Sequence, residues 1–290
     1  MKISFLGLGT MGWPMAANLL AAGYDLRAWN RSPEPGQRLA ARGAHIASSP
    51  REAVRDADVV ILILADDAAT RSTLQAADEA LRPGAIVVNM ATVSAELSAG
   101  LAADFAGRGI RYVAAPVLGR VDVAEAGELN ILAAGEAAAI DAVQPLFDVM
   151  GCKTWRYGER PEQASVVKLA VNFMIASAIG AMGEAAALVR GHGVDAADFL
   201  GLVTSTGFAS PVYQGYGSAI ADERFTPAGF RLALGLKDVN LAIAAAEQAR
   251  VPLTLASTVR DAIIEGLAHG DGDLDFAALA RTSARRAGQA

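Results

Sequence analysis

Three glycines near the start of the chain have the spacing of a phosphate-binding turn. Gly7, Gly9 and Gly12 form a G-x-G-x-x-G pattern. In such a pattern the first glycine permits a tight turn, the second lets the backbone approach a pyrophosphate, and the third lets helix and strand pack closely. We therefore predict that the backbone of Gly7, Gly9, Thr10, Met11 and Gly12 binds a dinucleotide.

The segments around this turn have the composition of a strand, a helix and a second strand. Ile3, Phe5 and Leu6 predict the first strand, residues 14–22 predict a helix, and apolar residues within 26–29 predict the second strand. A glycine pattern placed between a strand and a helix is much more specific than the same pattern alone. An accidental glycine turn is the alternative.

The end of the second predicted strand bears on the choice of cofactor. NAD-binding sites usually have an acidic residue there to bind the ribose 2′-hydroxyl, whereas this chain has Asn30, Arg31 and Ser32. Since no carboxylate repels a 2′-phosphate, Arg31 can pair with one. We therefore predict that these three residues help to bind NADP(H) rather than NAD(H). The alternative is that Arg31 is an ordinary surface arginine.

A lysine in an otherwise apolar segment is a second candidate for chemistry. Residues 165–190 predict one long, almost wholly apolar helix, in which Lys168 and Asn172 lie four apart and share a face. Burial among apolar side chains disfavours a charged ammonium, which makes Lys168 a candidate proton donor. The alternative is that Lys168 extends to solvent from the end of the helix.

The composition argues against several classes of protein. The chain has 290 residues, 53% of them hydrophobic, and its net charge of −6 argues against nucleic acid as a partner. A single cysteine, Cys152, excludes an internal disulfide framework and fits a cytoplasmic location. The three histidines are dispersed, so we predict no metal site. We also predict no membrane partner, because no apolar run reaches about 18 residues. We predict no signal peptide, because the N-terminus leads straight into a strand with one lysine.

Apolar strands alternate with helical segments through the first half of the chain. Further strands are predicted at residues 58–64, 85–90, 111–115, 130–135 and 154–157. This alternation predicts a doubly wound, Rossmann-type α/β domain over residues 1–161. Ligands bind beyond the carboxyl ends of the strands in such a sheet. Four residues at two strand ends are therefore candidates for cofactor binding: Leu64, Ala65, Asp66 and Thr92.

From residue 162 onward the periodicity is helical. We predict an all-α substrate and dimerisation domain over residues 162–290, with the long helix lying between the domains. A helix that is apolar on nearly all sides needs more partners than one small domain offers. The excess apolar face therefore predicts a homodimer or homotetramer.

Five segments, in order, resemble the motifs of the β-hydroxyacid dehydrogenases, a family that includes 3-hydroxyisobutyrate dehydrogenase and the glyoxylate/succinic semialdehyde reductases. The segments are FLGLGTMGWPMAANL, ATVSAE, APVLGRVDVAEAGELNILAAG, KLAVN and FRLALGLKDVNLA. The glyoxylate reductase branch is nearest, through AGELNILAAG and the late GDGDLDF. The resemblance implies NADP(H)-dependent chemistry on a small aldehyde, keto acid or hydroxy acid, and a C-terminal domain like that of 6-phosphogluconate dehydrogenase.

The resemblance also implies roles for individual residues. Lys168 matches the family's catalytic lysine, which donates a proton to the developing alkoxide, and Thr92 matches a threonine near the nicotinamide and the substrate. Lys237 would reach the cofactor. The residues implied in substrate binding are Thr92, Leu118, Gly119, Arg120, Asn172, Phe230 and Asp238.

Two departures from the family pattern lie in the substrate segment. The family's serine after A-P-V is Leu118 in this chain, and its second glycine is Arg120. Loss of the serine hydroxyl removes a donor to a substrate carboxylate. Arg120 either supplies a positive charge instead or points outward. We therefore predict a pocket that is more apolar than the family norm.

The favoured function is NADPH-dependent reduction of a small aldehyde or keto acid, of the glyoxylate or succinic semialdehyde type. One alternative is an imine reductase with an apolar pocket, although such relatives usually lack a lysine at the position of Lys168. The other is a non-catalytic NADP-binding protein. Retention of Lys168, Asn172, Lys237 and Asp238 together argues against this second alternative.

Overall fold

The structure, a computed structural model, describes residues 1–289 and contains two compact units. The first unit is Met1–Lys168, and the second begins at Leu169. The strands of the first unit are β1 (Ile3–Leu6), β2 (Leu26–Trp29), β3 (His45–Ile46), β4 (Val59–Leu62), β5 (Ile86–Asn89), β6 (Arg111–Ala114), β7 (Val117–Leu118), β8 (Leu129–Gly135) and β9 (Gly151–Arg156). Its helices are α1 (Gly12–Ala21), α2 (Pro33–Ala40), α3 (Pro50–Val54), α4 (Asp67–Ala77), α5 (Ala95–Ala106), α6 (Val121–Glu125) and α7 (Ala137–Met150).

The strands of the first unit form a mostly parallel sheet. Six neighbouring strands run parallel in the order β3-β2-β1-β4-β5-β6. Strand β8 pairs antiparallel with β6 and β7 and parallel with β9. All four residues of β4 are buried, as expected for a strand whose sheet is covered on both faces. The predicted Rossmann-type sheet is therefore confirmed.

The sheet separates two apolar cores because successive side chains of a strand point to opposite faces. In β1, Ile3 and Phe5 pack in one core, and Leu6 packs in the other. The strands β3 and β7 were not predicted, since two residues are too few to show an alternating pattern. Strand β4 ends at Leu62 rather than at the predicted Leu64, so that Leu64 lies in the loop.

The second unit is helical, as predicted. Helix α8 (Glu162–Gly191) crosses the boundary between the units, and it is followed by α9 (Ala196–Ser205), α10 (Pro211–Ala221), α11 (Leu232–Gln248), α12 (Thr254–Ala268) and α13 (Leu279–Arg286). Among the described residues of this unit, the only β-type pairing is an isolated bridge between Arg231 and Asp275. Helix α8 begins three residues before the predicted start, because Glu162 suits the positive end of the helix dipole.

Helix α8 is the most apolar element of the chain. Its most apolar 18-residue window has a mean hydropathy of 1.7, so by length and composition it is able to cross a membrane. Four of its side chains, Ala176, Ile179, Met182 and Ala186, are nevertheless part of the core of the second unit. Only 28% of that window is buried inside the protein, so α8 is a core helix along part of its surface, and the absence of a membrane partner stays a prediction.

Candidate active site

The three glycines of the N-terminal turn serve different purposes. Gly7 has φ +99°, and a Cβ atom there would lie 2.3 Å from the carbonyl oxygen of Ile63. A Cβ atom at Gly12 would lie 2.0 Å from the carbonyl oxygen of Gly7. Both positions therefore require glycine for the fold itself. At Gly9, by contrast, a Cβ atom would meet no described atom within 4 Å, which leaves this side of the turn open to a ligand.

The start of α1 has the chemistry of an anion site. In its first turn the N–H of Trp13 donates to the carbonyl oxygen of Gly9 at 3.0 Å, and Pro14 has no N–H, which leaves the N–H of Gly12 and the positive end of the helix dipole for an anion. In the described chain neither a side-chain cap nor an acidic residue occupies that turn. The turn before it is fixed by Asn30, whose Oδ1 accepts the N–H of Leu8 at 2.8 Å. A turn that is open at Gly9 and leads to an uncapped helix fits the pyrophosphate of a nicotinamide dinucleotide.

The difference between Gly9 and Gly12 gives a matched test. We expect Gly12→Ala to destabilise the protein by roughly 1–3 kcal/mol, because the new methyl group clashes with backbone. Gly9→Ala should leave the melting temperature unchanged and weaken NADPH binding at least about tenfold, since the methyl group occupies the ligand's side of the turn. Thermal unfolding and NADPH fluorescence titration measure the two effects. Wild-type affinity in Gly9→Ala would exclude this turn as the pyrophosphate site.

The end of β2 carries the residues predicted to select the cofactor. Asn30 Nδ2 donates to the carbonyl oxygen of Ser32 at 3.0 Å, so the Asn30 amide connects this turn to the glycine turn. Arg31 is exposed beside it. Asn30 thus has a structural role that explains why an amide occupies the position, and cofactor contacts by all three residues stay predictions.

The loops after β4 and β5 lie at the same carboxyl edge of the sheet as the glycine turn. A Cβ atom at Gly7 would lie 2.8 Å from Cδ2 of Leu64, so the glycine turn and the loop after β4 are in contact. Ala65 is exposed, and the carboxylate of Asp66 caps α4 by accepting the N–H of Ala69 at 2.8 Å. Thr92 is half-buried in the loop after β5. The parallel order β1-β4-β5 therefore brings these predicted cofactor residues to one edge.

The substrate segment lies at the end of β7. Leu118 is half-buried, whereas Gly119 and Arg120 are exposed. Gly119 has φ +145°, and a Cβ atom there would lie 2.7 Å from Cδ2 of Leu129. Glycine is therefore required by the backbone at this point. Arg120 is the N-cap residue of α6, and its predicted part in substrate binding is not tested by this position.

Three predicted residues of the second unit, Asn172, Lys237 and Asp238, form a partly buried polar cluster. Asp238 is 3% exposed, and its Oδ2 accepts the Asn172 amide Nδ2–H at 2.5 Å. Its Oδ1 lies 3.1 Å from Nζ of Lys237. Lys168, which is half-buried, precedes Asn172 by one turn of α8. The carboxylate of Asp238 therefore organises Asn172 and Lys237, and its predicted contact with substrate stays a prediction.

Asp275 is a residue of this unit that the sequence analysis did not identify as functional. It is 4% exposed, and its Oδ2 accepts the N–H groups of Gly229 at 2.8 Å and Phe230 at 3.2 Å. The Phe230 ring lies 5.6 Å from the ring of Phe276. Asp275 thus fixes the loop that carries Phe230 and leads into α11. The available signal was the motif GDGDLDF, in which this aspartate precedes an aromatic residue.

Comparison with known proteins agrees with this architecture. Residues 2–158 match the NAD binding domain of 6-phosphogluconate dehydrogenase, and residues 163–283 match the NAD-binding family of NADP-dependent 3-hydroxyisobutyrate dehydrogenase. The chain is 41% identical to the uncharacterized oxidoreductase YfjR of Bacillus subtilis (strain 168), over 96% of this chain and 98% of the relative. It is 32% identical to glyoxylate/succinic semialdehyde reductase 1 of Arabidopsis thaliana, over 96% and 97% of the two chains.

Solved structures share the same fold. The 3-hydroxyisobutyrate dehydrogenase of Mycobacterium tuberculosis superimposes with a TM-score of 0.88 at 29% identity, covering 97% of this chain and 98% of that one. An imine reductase of Streptomyces aurantiacus superimposes with a TM-score of 0.67 at 27% identity, covering 97% and 99%. The chain therefore belongs to the β-hydroxyacid dehydrogenase family, whose members are nicotinamide-dependent oxidoreductases acting on CH–OH groups.

Proposed function

We propose that the protein is an NADPH-dependent reductase of a small aldehyde or keto acid, with Lys168 as the proton donor. The observation that carries the proposal is the hydrogen bond at 2.5 Å from the half-buried Asn172 to the buried Asp238, one helical turn after Lys168. A polar cluster in the most apolar helix of the chain is costly unless it is used or fully paired. The 32% identity to a relative named for glyoxylate and succinic semialdehyde supports this substrate class.

The proposed reaction needs one hydride and one proton. When bound, the reduced nicotinamide supplies the hydride to the carbonyl carbon. Lys168 would hold a proton at Nζ and pass it to the carbonyl oxygen as negative charge develops there, yielding the hydroxyl group. Asn172 would orient Lys168 or the substrate oxygen. Thr92, with Leu118 and its neighbours, would contact the substrate.

We propose NADPH as the physiological reductant because Arg31 is exposed at the end of β2, where Asn30 and Ser32 flank it in place of an acidic residue. Arg31→Asp should lower the ratio of kcat/KM with NADPH to kcat/KM with NADH by about 10- to 100-fold, the effect of one charge-assisted hydrogen bond and a new repulsion. Steady-state kinetics with both cofactors measure the ratio. Arg51→Asp, at an exposed arginine of α3, is the control and should not change it. An unchanged ratio in Arg31→Asp would remove Arg31 from cofactor selection.

The substrate class is tested by following NADPH oxidation against aldehydes, keto acids and cyclic imines in parallel. Turnover of short aldehyde or keto acids, with little turnover of imines, is the expected result. The second candidate is imine reduction, which the apolar Leu118 and the fold shared with an imine reductase favour. Preferential turnover of imines would establish that function instead. Tight NADPH binding without turnover of any substrate would indicate a non-catalytic NADP-binding protein.

Assembly and location are proposals of the same kind. A homodimer or homotetramer is supported by exposed apolar side chains on α8, of which Met174 is 67% and Leu188 is 64% exposed. A cytoplasmic location is supported by the single, unpaired Cys152. Sedimentation analysis of the purified protein tests the first proposal, and cell fractionation tests the second.

A further inference from the structure

Two loops at the carboxyl edge of the sheet are joined by one aspartate that has no assigned role. Asp67 is the first residue of α4, after the loop that follows β4. Its Oδ1 accepts the N–H of Ser94 at 2.9 Å, and its Oδ2 accepts the Ser94 hydroxyl. Ser94 ends the loop that follows β5 and caps α5, with its Oγ accepting the N–H of Leu97 at 2.9 Å. Asp67 therefore ties the start of one helix to the start of the next.

The other end of the β5 loop is fixed independently. Asn89 is 1% exposed, and its Oδ1 accepts the N–H of Ala91 at 3.0 Å. Its Nδ2 donates to the hydroxyl of Tyr112 at 3.0 Å. Burial raises the pKa of Tyr112 to about 12, so this hydroxyl stays protonated and the contact does not change near neutral pH. Thr92 thus lies between two anchors, Ala91 and Ser94.

Asp67 is not needed as the cap of its own helix. Asp66 performs that function by accepting the N–H of Ala69 at 2.8 Å. Both oxygens of Asp67 accept hydrogen bonds from Ser94. The effect of this side chain is therefore to hold Ser94 in position rather than to cap α4. A hydrogen-bonded carboxylate between two helix starts also gains from both helix dipoles, so the contact is stable.

We propose that Asp67 and Ser94 are positioning residues, which hold Thr92 where it contacts the substrate during reduction. The proposal rests on the proposed function, in which Thr92 contacts the substrate. A loop held at both ends keeps a catalytic geometry at no cost when substrate binds, whereas a loop released at one end samples unproductive positions. Releasing it should therefore lower kcat more than it changes the KM for NADPH.

The test compares Asp67→Ala with Asp67→Asn and with Ser49→Ala. Ser49 caps α3 in the same way, with its Oγ accepting the N–H of Glu52 at 3.2 Å, and it lies outside the site. Asp67→Ala should lower kcat about tenfold, the effect of losing a charge-assisted hydrogen bond. Its amides at 91–94 should exchange at least about tenfold faster with solvent deuterium. Asp67→Asn, which keeps an acceptor oxygen, should recover most of both properties. Ser49→Ala should lower the melting temperature only.

Each way in which the positioning role could be wrong gives a different experimental result. Unchanged exchange at residues 91–94 in Asp67→Ala would show that Asp67 does not hold the loop. Faster exchange with an unchanged kcat would show that the position of Thr92 does not matter for turnover. If Asp67→Asn loses as much as Asp67→Ala, charge rather than hydrogen bonding is responsible, and the positioning role is wrong. A wild-type protein inactive on every aldehyde would contradict the proposed function, while the exchange measurement would still decide whether the loop is held.

Discussion

Lys168→Met is expected to lower kcat by on the order of 100-fold or more, the usual contribution of a positioned general acid. Methionine keeps the length and apolar packing of the lysine stem but has no proton to donate. The affinity for NADPH should change by less than about twofold, because the proposed donor acts on the substrate oxygen. Steady-state kinetics with the best aldehyde of the panel give kcat, and NADPH fluorescence titration gives the affinity.

Lys153→Met is the matched control for this substitution. Lys153 is exposed on β9, where its ammonium lies 3.6 Å from the centre of the Trp155 ring, and it has no part in the proposed site. The control should keep wild-type kcat. If Lys168→Met also keeps it, Lys168 is not the proton donor and the proposed mechanism is wrong. If Lys168→Met loses NADPH binding as well, the lysine serves the cofactor rather than the chemical step.

Asp238→Asn is expected to lower kcat by about 10- to 100-fold, the range for loss of a charged hydrogen-bond acceptor. A carboxylate only accepts, so Asp238 forces the NH2 end of the Asn172 amide toward itself and turns the amide oxygen away. An acceptor oxygen one turn after Lys168 is suited to orient an ammonium, which only donates. An amide at position 238 would no longer impose this orientation, because it offers either end.

Exchanging the two side chains tests whether kcat depends on which group faces Lys168 from position 172, rather than only on the negative charge at position 238. In Asn172→Asp combined with Asp238→Asn, the hydrogen bond is restored with its direction reversed, and position 172 still presents an oxygen. We expect this double variant to recover at least about tenfold in kcat over Asp238→Asn, as expected for coupled neighbours. No recovery would mean that Asp238 acts in another way, such as through Lys237.

Asp271→Asn controls for the loss of a buried carboxylate in the same unit. Asp271 is 3% exposed and binds Arg281 and Arg285, each at 2.7 Å, outside the proposed site. This control should destabilise the protein by roughly 1–3 kcal/mol, because it removes the charged acceptor of two partly exposed arginines, and the folded fraction should keep wild-type kcat. A loss of kcat per folded molecule in Asp271→Asn would show that the kinetic effect at Asp238 is not specific.

The cofactor half of the site was predictable because its signals are local. The glycine turn, its flanking strands and the helix start lie within about thirty consecutive residues, a length typical of one βαβ unit. Their backbone requirements are visible in residue type, since only glycine fits at Gly7 and Gly12. The long helix was predictable for the same reason, although its start at Glu162 depended on the interaction of that carboxylate with the helix dipole.

The contacts between distant segments were not predictable from the residues alone. Nothing in the sequence pairs Asn172 with Asp238, which are 66 residues apart, or Asp67 with Ser94, which are 27 apart. Asp275 was recognisable only as part of a motif, and its bonds to Gly229 and Phe230 appear only after folding. Strand β8 runs antiparallel to β6 and parallel to β9, and neither pairing follows from the residues of β8 alone.

The amino-acid sequence by itself determined the family, the class of cofactor and the identity of the candidate proton donor. These depend on residue types at fixed short spacings, which act through the backbone and along a single helix. Tertiary structure alone decided which buried carboxylates orient those groups. A hydrogen bond between two side chains needs both atoms within about 3 Å, and only the folded chain brings distant residues that close.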